Sequence, residues 1–114
     1  MVDVGVNFED NDCLITIEGE VDASSSIYLD EALQQAFQSE ASNILVDCQG
    51  LHYISSAGLG VFMSYIQELE ATHKKMVLFN MSEKVYKVFE ILGLHQLLTI
   101  VDSQEKAKLV TNES

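Results

Sequence analysis

An apolar strand pattern gives way to a helical pattern within residues 50–61, and two adjacent serines and two glycines lie at the helix entry. A serine at a helix entry can cap the helix by accepting a hydrogen bond from a backbone N–H two or three residues further on. Ser55 and Ser56 both stand at this entry, and capping accounts for one of them. The first turn then contains small residues, namely Ala57, Gly58 and Gly60.

Small side chains in a first helical turn leave its backbone open to another protein, and the unpaired N–H groups there favour an anion. The segment therefore predicts either a loop that needs small residues for tight packing or a recognition site that tolerates a phosphate on Ser56. A helical projection at about 100° per residue favours the second interpretation. It centres the apolar stripe on Ile66 and directs Val61 and Tyr65 outward as an exposed apolar pair, which is typical of a binding patch.

Other chemistries find no support in the spacing of polar residues. A Gly-x-Ser-x-Gly hydrolase motif fails at Ser56 because Ile54 occupies the position of the first glycine. His52, His73 and His95 have no carboxylate or thiol at ligand spacing, so we expect no metal. No Gly-Lys-Ser or Gly-Lys-Thr occurs, and we expect neither a cofactor nor enzymatic activity.

The charge of the chain excludes several partners. The 114 residues include 18 acidic and 6 basic ones, all six of them lysine, which gives a net charge of -12. Such a surface repels nucleic acid and anionic membranes. No basic residue precedes Lys74, so a partner of the N-terminal half is expected to be basic rather than acidic.

The cysteines and the apolar runs indicate a cellular location. Cys13 and Cys48 each lie inside an apolar run with no second ligand nearby, which predicts reduced strand residues. The N-terminus resembles no signal peptide, and no apolar run approaches eighteen residues. We therefore expect a cytoplasmic protein.

Hydrophobic periodicity predicts one domain over residues 1–114 with the element order β-β-α-β-α-β-α-β-α. Strand patterns cover residues 4–8, 13–18, 44–48, 76–81 and 98–101. Helical patterns cover residues 24–40, 57–73 and 82–92, and a short final helix opens near Asp102. Strands that alternate with helices pair mainly in parallel, while the opening hairpin is antiparallel. The fold class is therefore α/β, with a mixed, mostly parallel sheet.

Three segments together resemble the STAS domain of bacterial anti-sigma factor antagonists. They are Glu-Gly-Glu-Val-Asp at 18–22, Ile-Leu-Val-Asp at 44–47 and Tyr-Ile-Ser-Ser-Ala-Gly-Leu-Gly at 53–60. Their spacing and the element order agree over essentially the whole chain. The resemblance implies a small mixed sheet with helices mainly on one face, and a protein switch controlled by phosphorylation.

In that family the unmodified domain binds an anti-sigma factor that is also a serine kinase of the GHKL ATPase type, and this frees the sigma factor for transcription. The kinase phosphorylates a serine at the helix entry, and a PP2C-type phosphatase removes the phosphate. The resemblance places the acceptor at Ser56. Ser55 stands where the family commonly has Asp and is a second candidate, while Ala57 replaces a hydroxyl residue.

The partner surface implied by the resemblance contains Ser55, Ser56, Ala57, Gly58, Val61 and Tyr65. Glu20 and Asp22 are expected to border it, although Asp22 could instead cap the first helix and Glu20 could simply be solvated. The alternative function is a STAS sensory or scaffold domain that binds a small ligand or assembles with copies of itself. We expect a monomer or a weak dimer.

Overall fold

Five strands form one sheet in the computed structural model, which describes residues 1–112. The strands are β1 (Val2–Glu9), β2 (Asp12–Val21), β3 (Asn43–Ile54), β4 (Lys75–Phe79) and β5 (Thr99–Val101). Their order across the sheet is β1-β2-β3-β4-β5. β1 pairs antiparallel with β2, and each remaining pair is parallel. The predicted α/β class with a mixed, mostly parallel sheet is confirmed.

Six helices accompany the sheet within the described residues. They are α1 (Ser26–Gln38), α2 (Ser56–Ser64), α3 (Ile66–Thr72), α4 (Glu83–Ile91), α5 (Leu94–Leu97) and α6 (Gln104–Asn112). The larger apolar cluster joins one sheet face to the first five helices, and a smaller one joins the other face to α6. Helices therefore lie mainly on one face, as predicted. None of them is long and apolar enough to cross a membrane.

The spacing of apolar residues explains how the strands β2 and β3 pack in the core. Alternate residues of β2 are fully buried, beginning with Cys13, Ile15 and Ile17, because they lie on the face of the strand that packs in the main cluster. The central strand β3 is buried on both faces at Ile44, Leu45 and Val46, as its continuous apolar run predicts. Burial raises the pKa of the Cys48 thiol to about 12, so this cysteine is an inert core residue.

The prediction of one continuous helix over residues 57–73 is wrong. The helix is interrupted at Tyr65, which separates α2 from α3. Ser64 Oγ donates to the Val61 carbonyl at 2.6 Å, and the Tyr65 N–H donates to Phe62 O at 3.2 Å, which tightens the last turn of α2. The Tyr65 ring then stacks on Phe37 of α1, with ring centroids 4.9 Å apart. Tertiary packing at this ring overrides the uniform periodicity.

Two further boundaries differ from the predicted ones. β3 continues through Ile54, six residues beyond the predicted end, because Leu51 and Ile54 are both buried in the core. Their three-residue spacing fits a strand because the pairing with β2 shifts register between Leu51 and Tyr53. A four-residue helix, α5, follows Gly93, whose positive φ of 74° ends α4 just after the predicted helical pattern of residues 82–92. Both extra pieces leave the predicted order of strands unchanged.

Two glycines of α2 provide a test of the packing between this helix and the sheet. A Cβ on Gly58 would lie 2.7 Å from Ile54 Cγ1 and 2.8 Å from Val21 Cγ1, whereas a Cβ on Gly60 would meet nothing within 4 Å. We expect Gly58→Ala to lower the free energy of unfolding by about 1 kcal/mol or more through overpacking. The control, Gly60→Ala, should raise it by up to about 1 kcal/mol, since alanine favours helix. Urea unfolding measures both, and equal effects of the two substitutions would contradict this packing.

Candidate functional site

The candidate site lies at the carboxyl edge of the sheet, where β2 and β3 end side by side. Val21 pairs with Ile54 in the parallel ladder, and the Ser55 N–H donates to Val21 O at 2.8 Å. This bond extends the ladder by one residue and sets the direction in which α2 begins. The turn after β2, which contains Asp22, therefore lies beside the first turn of α2.

The two adjacent serines have different environments. Ser55 is the N-cap of α2, and its Oγ accepts a hydrogen bond from the Gly58 N–H at 3.3 Å. Ser56 is the first helical residue, and its side chain is exposed. Its hydroxyl makes no hydrogen bond to any residue in the described part of the chain. Of these two hydroxyls, that of Ser56 is the one that is both accessible and free of a structural role.

One face of α2 is open to solvent along its whole length. The exposed residues recur at helical spacing and are Ser56, Gly60, Met63 and Ser64. The Met63 side chain is 49% exposed and lies about 10 Å along the helix axis from Ser56. We call these four residues the α2 face. It combines an acceptor hydroxyl, an open backbone and an apolar side chain.

The apolar side chains of the crossover differ in exposure from what the helical projection predicts. Val61 and Tyr65 do not form an outward pair, because both are half-buried against the main core. The Tyr65 hydroxyl donates to Asp30 Oδ1 at 2.9 Å, and desolvation, together with that bond, raises the pKa of Tyr65 to about 12. Gly58 is also buried rather than uncovered. Ala57 is half-buried.

Two further exposed side chains flank the start of α2. Glu20 of β2 pairs with Tyr53 of β3 in the parallel ladder, so both lie just before the strand ends. Glu20 is exposed, and the Tyr53 ring is 46% exposed. Tyr53 and Met63 were missed by sequence reasoning. The periodic signal that could have identified Met63 is its i+7 spacing from Ser56.

Asp22 does not cap α1, whose N-cap is Ser25, but it has a structural role in the turn before that helix. Its Oδ1 accepts hydrogen bonds from the backbone N–H groups of Ser24 at 3.1 Å and Ser25 at 2.9 Å, and from both hydroxyls at 2.8 Å. The hydroxyl bonds from Ser24 and Ser25, followed by the Ser25 N–H bond, lower the pKa of Asp22 to about 2. The carboxylate therefore organises the turn that leads into α1 while standing at the edge of the candidate site.

The chemistry of the site fits recognition and modification. No group of three or more His, Cys, Asp or Glu side chains that could hold a metal ion occurs within residues 1–112. The site instead offers one free hydroxyl at the positive end of a helix dipole, with carboxylates at Glu20 and Asp22 nearby along the strand edge. A hydroxyl in this position can accept a phosphate without breaking a hydrogen bond of the fold.

An α/β domain with this sheet order and an exposed serine at the start of its central crossover helix resembles a STAS domain. The model of the STAS domain matches residues 4–107, and the chain belongs to that family. The resemblance found in the sequence is thereby confirmed.

Several named proteins and solved structures within reach of this family are similar to the chain. The anti-sigma-B factor antagonist of Listeria monocytogenes is 33% identical over 86 residues, which cover 75% of each chain. An anti-sigma factor antagonist from Mycobacterium paratuberculosis has a similar structure, with a TM-score of 0.90, 13% identity and coverage of 99% of this chain and 96% of that one. The Bacillus cell fate determinant SpoIIAA in its phosphorylated form matches with a TM-score of 0.71, 23% identity, and coverage of 95% and 99%.

The different environments of Ser55 and Ser56 predict different costs of substitution. Ser55→Ala removes the α2 cap and should lower the free energy of unfolding by about 1 kcal/mol, which is about 4 °C in Tm. Ser56→Ala removes no hydrogen bond, so its free energy of unfolding should stay within about 0.5 kcal/mol of that of the parent protein. Differential scanning calorimetry of the two variants checks this, and a larger loss for Ser56→Ala would contradict the assignment of the cap.

The lowered pKa of Asp22 predicts a pH dependence of stability. Because the folded-state pKa of about 2 lies below the unfolded value of about 4, the ionised carboxylate stabilises the fold above about pH 4, and this contribution is lost as the pH falls toward 2. The control is Asp22→Asn, which keeps the shape of the side chain without its charge. The Tm difference between the two proteins should be constant near neutral pH and shrink between pH 4 and 2. A difference that is independent of pH would refute the role of the ionised form.

Proposed function

We propose that this protein is an anti-sigma factor antagonist whose binding is switched by phosphorylation of Ser56. In the unmodified state the α2 face docks on an anti-sigma factor that is also a serine kinase, and phosphorylation releases the two proteins. The observation that carries the proposal is the exposed, unbonded hydroxyl of Ser56 at the start of α2, beside a Ser55 hydroxyl that is already used as a cap.

The comparisons support this assignment at the level of the family. The curated relatives include anti-sigma-B factor antagonists from Listeria and Staphylococcus. One solved structure of the same fold is described as a phosphorylated form. The α2 face supplies what such a switch requires on this chain, namely an accessible acceptor within reach of an apolar contact residue, Met63.

Electrostatics explains how a phosphate could act as a release signal. A phosphoserine carries about -1.5 to -2 charge, and the positive end of the α2 dipole compensates part of it within the domain. A partner that covers Gly60 and Met63 would have to bury that anion beside Glu20, and mispaired charge in an interface costs several kcal/mol. Since each 1.4 kcal/mol is a tenfold change in affinity, binding is lost while the fold survives.

The partners follow from the same proposal. The kinase is an anti-sigma factor of the GHKL ATPase type, and a PP2C-type phosphatase restores the binding form. The whole cycle would take place in the cytoplasm and would regulate transcription through protein contacts alone. In this scheme the chain is a substrate of phosphoryl transfer, and it is not an enzyme.

The proposal predicts the outcome of substitutions at Ser56. Incubation with the cognate kinase and ATP should add one phosphate, which mass spectrometry should map to Ser56. Ser56→Asp should weaken binding of the kinase by about 100-fold or more, whereas Ser56→Ala should retain binding and abolish phosphorylation. Isothermal titration calorimetry measures the affinities.

Ser55→Ala is the matched control, because the neighbouring hydroxyl is lost while Ser56 remains. It should keep both binding and phosphorylation apart from its lower stability. Phosphate on Ser55 instead of Ser56 would contradict the assigned acceptor. A protein that is neither phosphorylated nor affected by Ser56→Asp would favour the alternative function of a sensory or scaffold domain.

A further inference from the structure

The outer edge of β1 is unpaired and borders an open groove. β1 lies at the end of the sheet order and pairs only with β2 within the described residues. Between this strand and α1 lies a groove of about 400 Å³, lined by Val2, Asp3, Val4, Val6, Tyr28, Glu31, Ala32 and Gln35. An exposed edge strand is a template for pairing with another chain.

The register of the hairpin shows which backbone groups of β1 point outward. The two-residue loop makes Glu9 and Asp12 its closing pair, and such a pair is hydrogen-bonded. At the other end of the hairpin the Glu20 N–H donates to Met1 O at 3.0 Å. Odd-numbered residues therefore bond inward to β2, and the N–H and C=O groups of the even-numbered residues face outward. These residues are Val2, Val4, Val6 and Phe8.

The same even-numbered residues carry the apolar side chains of the strand. Val2, Val4 and Val6 are half-buried and pack against the main core. Beyond them the Tyr28 ring is 56% exposed and the Phe8 ring 45% exposed. A strand added to this edge would therefore place every second side chain over an apolar floor, while its backbone continued the sheet.

The charge around the groove defines the chemistry of an occupant. Asp3 and Glu31 line the groove, and the chain has no basic residue before Lys74 that could pair with them. A second copy of this protein would bring the same acidic groups to the interface, and like charges placed opposite each other destabilise a pair of strands. A basic partner is complementary to both carboxylates.

We propose that the β1 edge binds an extended segment of a partner protein in which apolar residues alternate with Lys or Arg. The apolar residues lie over the Val2, Val4 and Val6 floor. The cationic ones lie on the opposite face of the added strand, beside the Asp3 carboxylate, and the exposed Glu31 at the groove adds longer-range attraction. This interface is separate from the α2 face and does not depend on Ser56, so its failure would leave the proposed switch intact.

Amide hydrogen exchange tests the proposal with a capped heptapeptide, Lys-Val-Lys-Val-Lys-Val-Lys, and the full-length protein. In the free protein the outward amides of Val4 and Val6 should exchange rapidly, and those of Gly5 and Asn7 slowly. Added peptide should slow the exchange of Val4 and Val6 in particular. The matched controls are the same peptide with Glu in place of Lys, and a form methylated on its backbone nitrogens that keeps the charge but cannot pair. Both should fail to protect these amides.

Two protein variants separate backbone pairing from charge. Val4→Pro removes an outward N–H at an edge position where proline is tolerated, and it should abolish protection at Val6 while far-ultraviolet circular dichroism still shows the fold. The double variant Asp3→Lys, Glu31→Lys changes only exposed side chains and should weaken peptide binding several-fold. It keeps the test decisive if Val4→Pro does not fold.

Three results would overturn the proposal. One is peptide binding that leaves Val4 and Val6 exchange unchanged, which would indicate attraction to the acidic surface in general. Another is equal binding of the methylated peptide. The third is protection of the same amides in concentrated protein without peptide, together with a dimer in analytical ultracentrifugation, which would assign the edge to a second copy.

Discussion

The candidate site depends on the parallel pairing of β2 with β3 at the last residue of each strand. Val21 and Ile54 lie opposite each other, the Ser55 N–H bonds to Val21 O, and the same two apolar side chains leave space only for hydrogen at Gly58. The strand pair, the hydrogen bond and the close packing at Gly58 together hold the first turn of α2 against the end of the sheet. With the helix held in this way, Ser55 must cap it and Ser56 must face solvent.

Much of the fold was predictable because its signals are local. The apolar runs of the central strands, the helical stripe of α1 and the glycine stop at Gly93 each depend on residues within a few positions. The break at Tyr65 was not predictable in the same way. It depends on the Phe37 ring and the Asp30 carboxylate of a helix far away in sequence, and periodicity contains no information about such contacts.

The candidate site shows the same division between local and distant signals. The concentration of Ser55, Ser56 and glycines correctly predicted a capped helix entry, since helix capping is a local property. The outward orientation predicted for Val61 and Tyr65 was wrong, because both side chains pack against the main core and the Tyr65 ring stacks on Phe37. Met63, on another side of α2, is exposed instead. The burial of Gly58 required the neighbouring strand to be known.

The neutral cap at Ser55 has an electrostatic consequence for the two states of the helix entry. A carboxylate at that position would make the terminus anionic before any modification. With a hydroxyl there, the α2 terminus keeps the partial positive charge of its backbone. In the proposed switch, a phosphate on Ser56 would therefore add its charge of about -1.5 to -2 to a helix entry whose cap carries none.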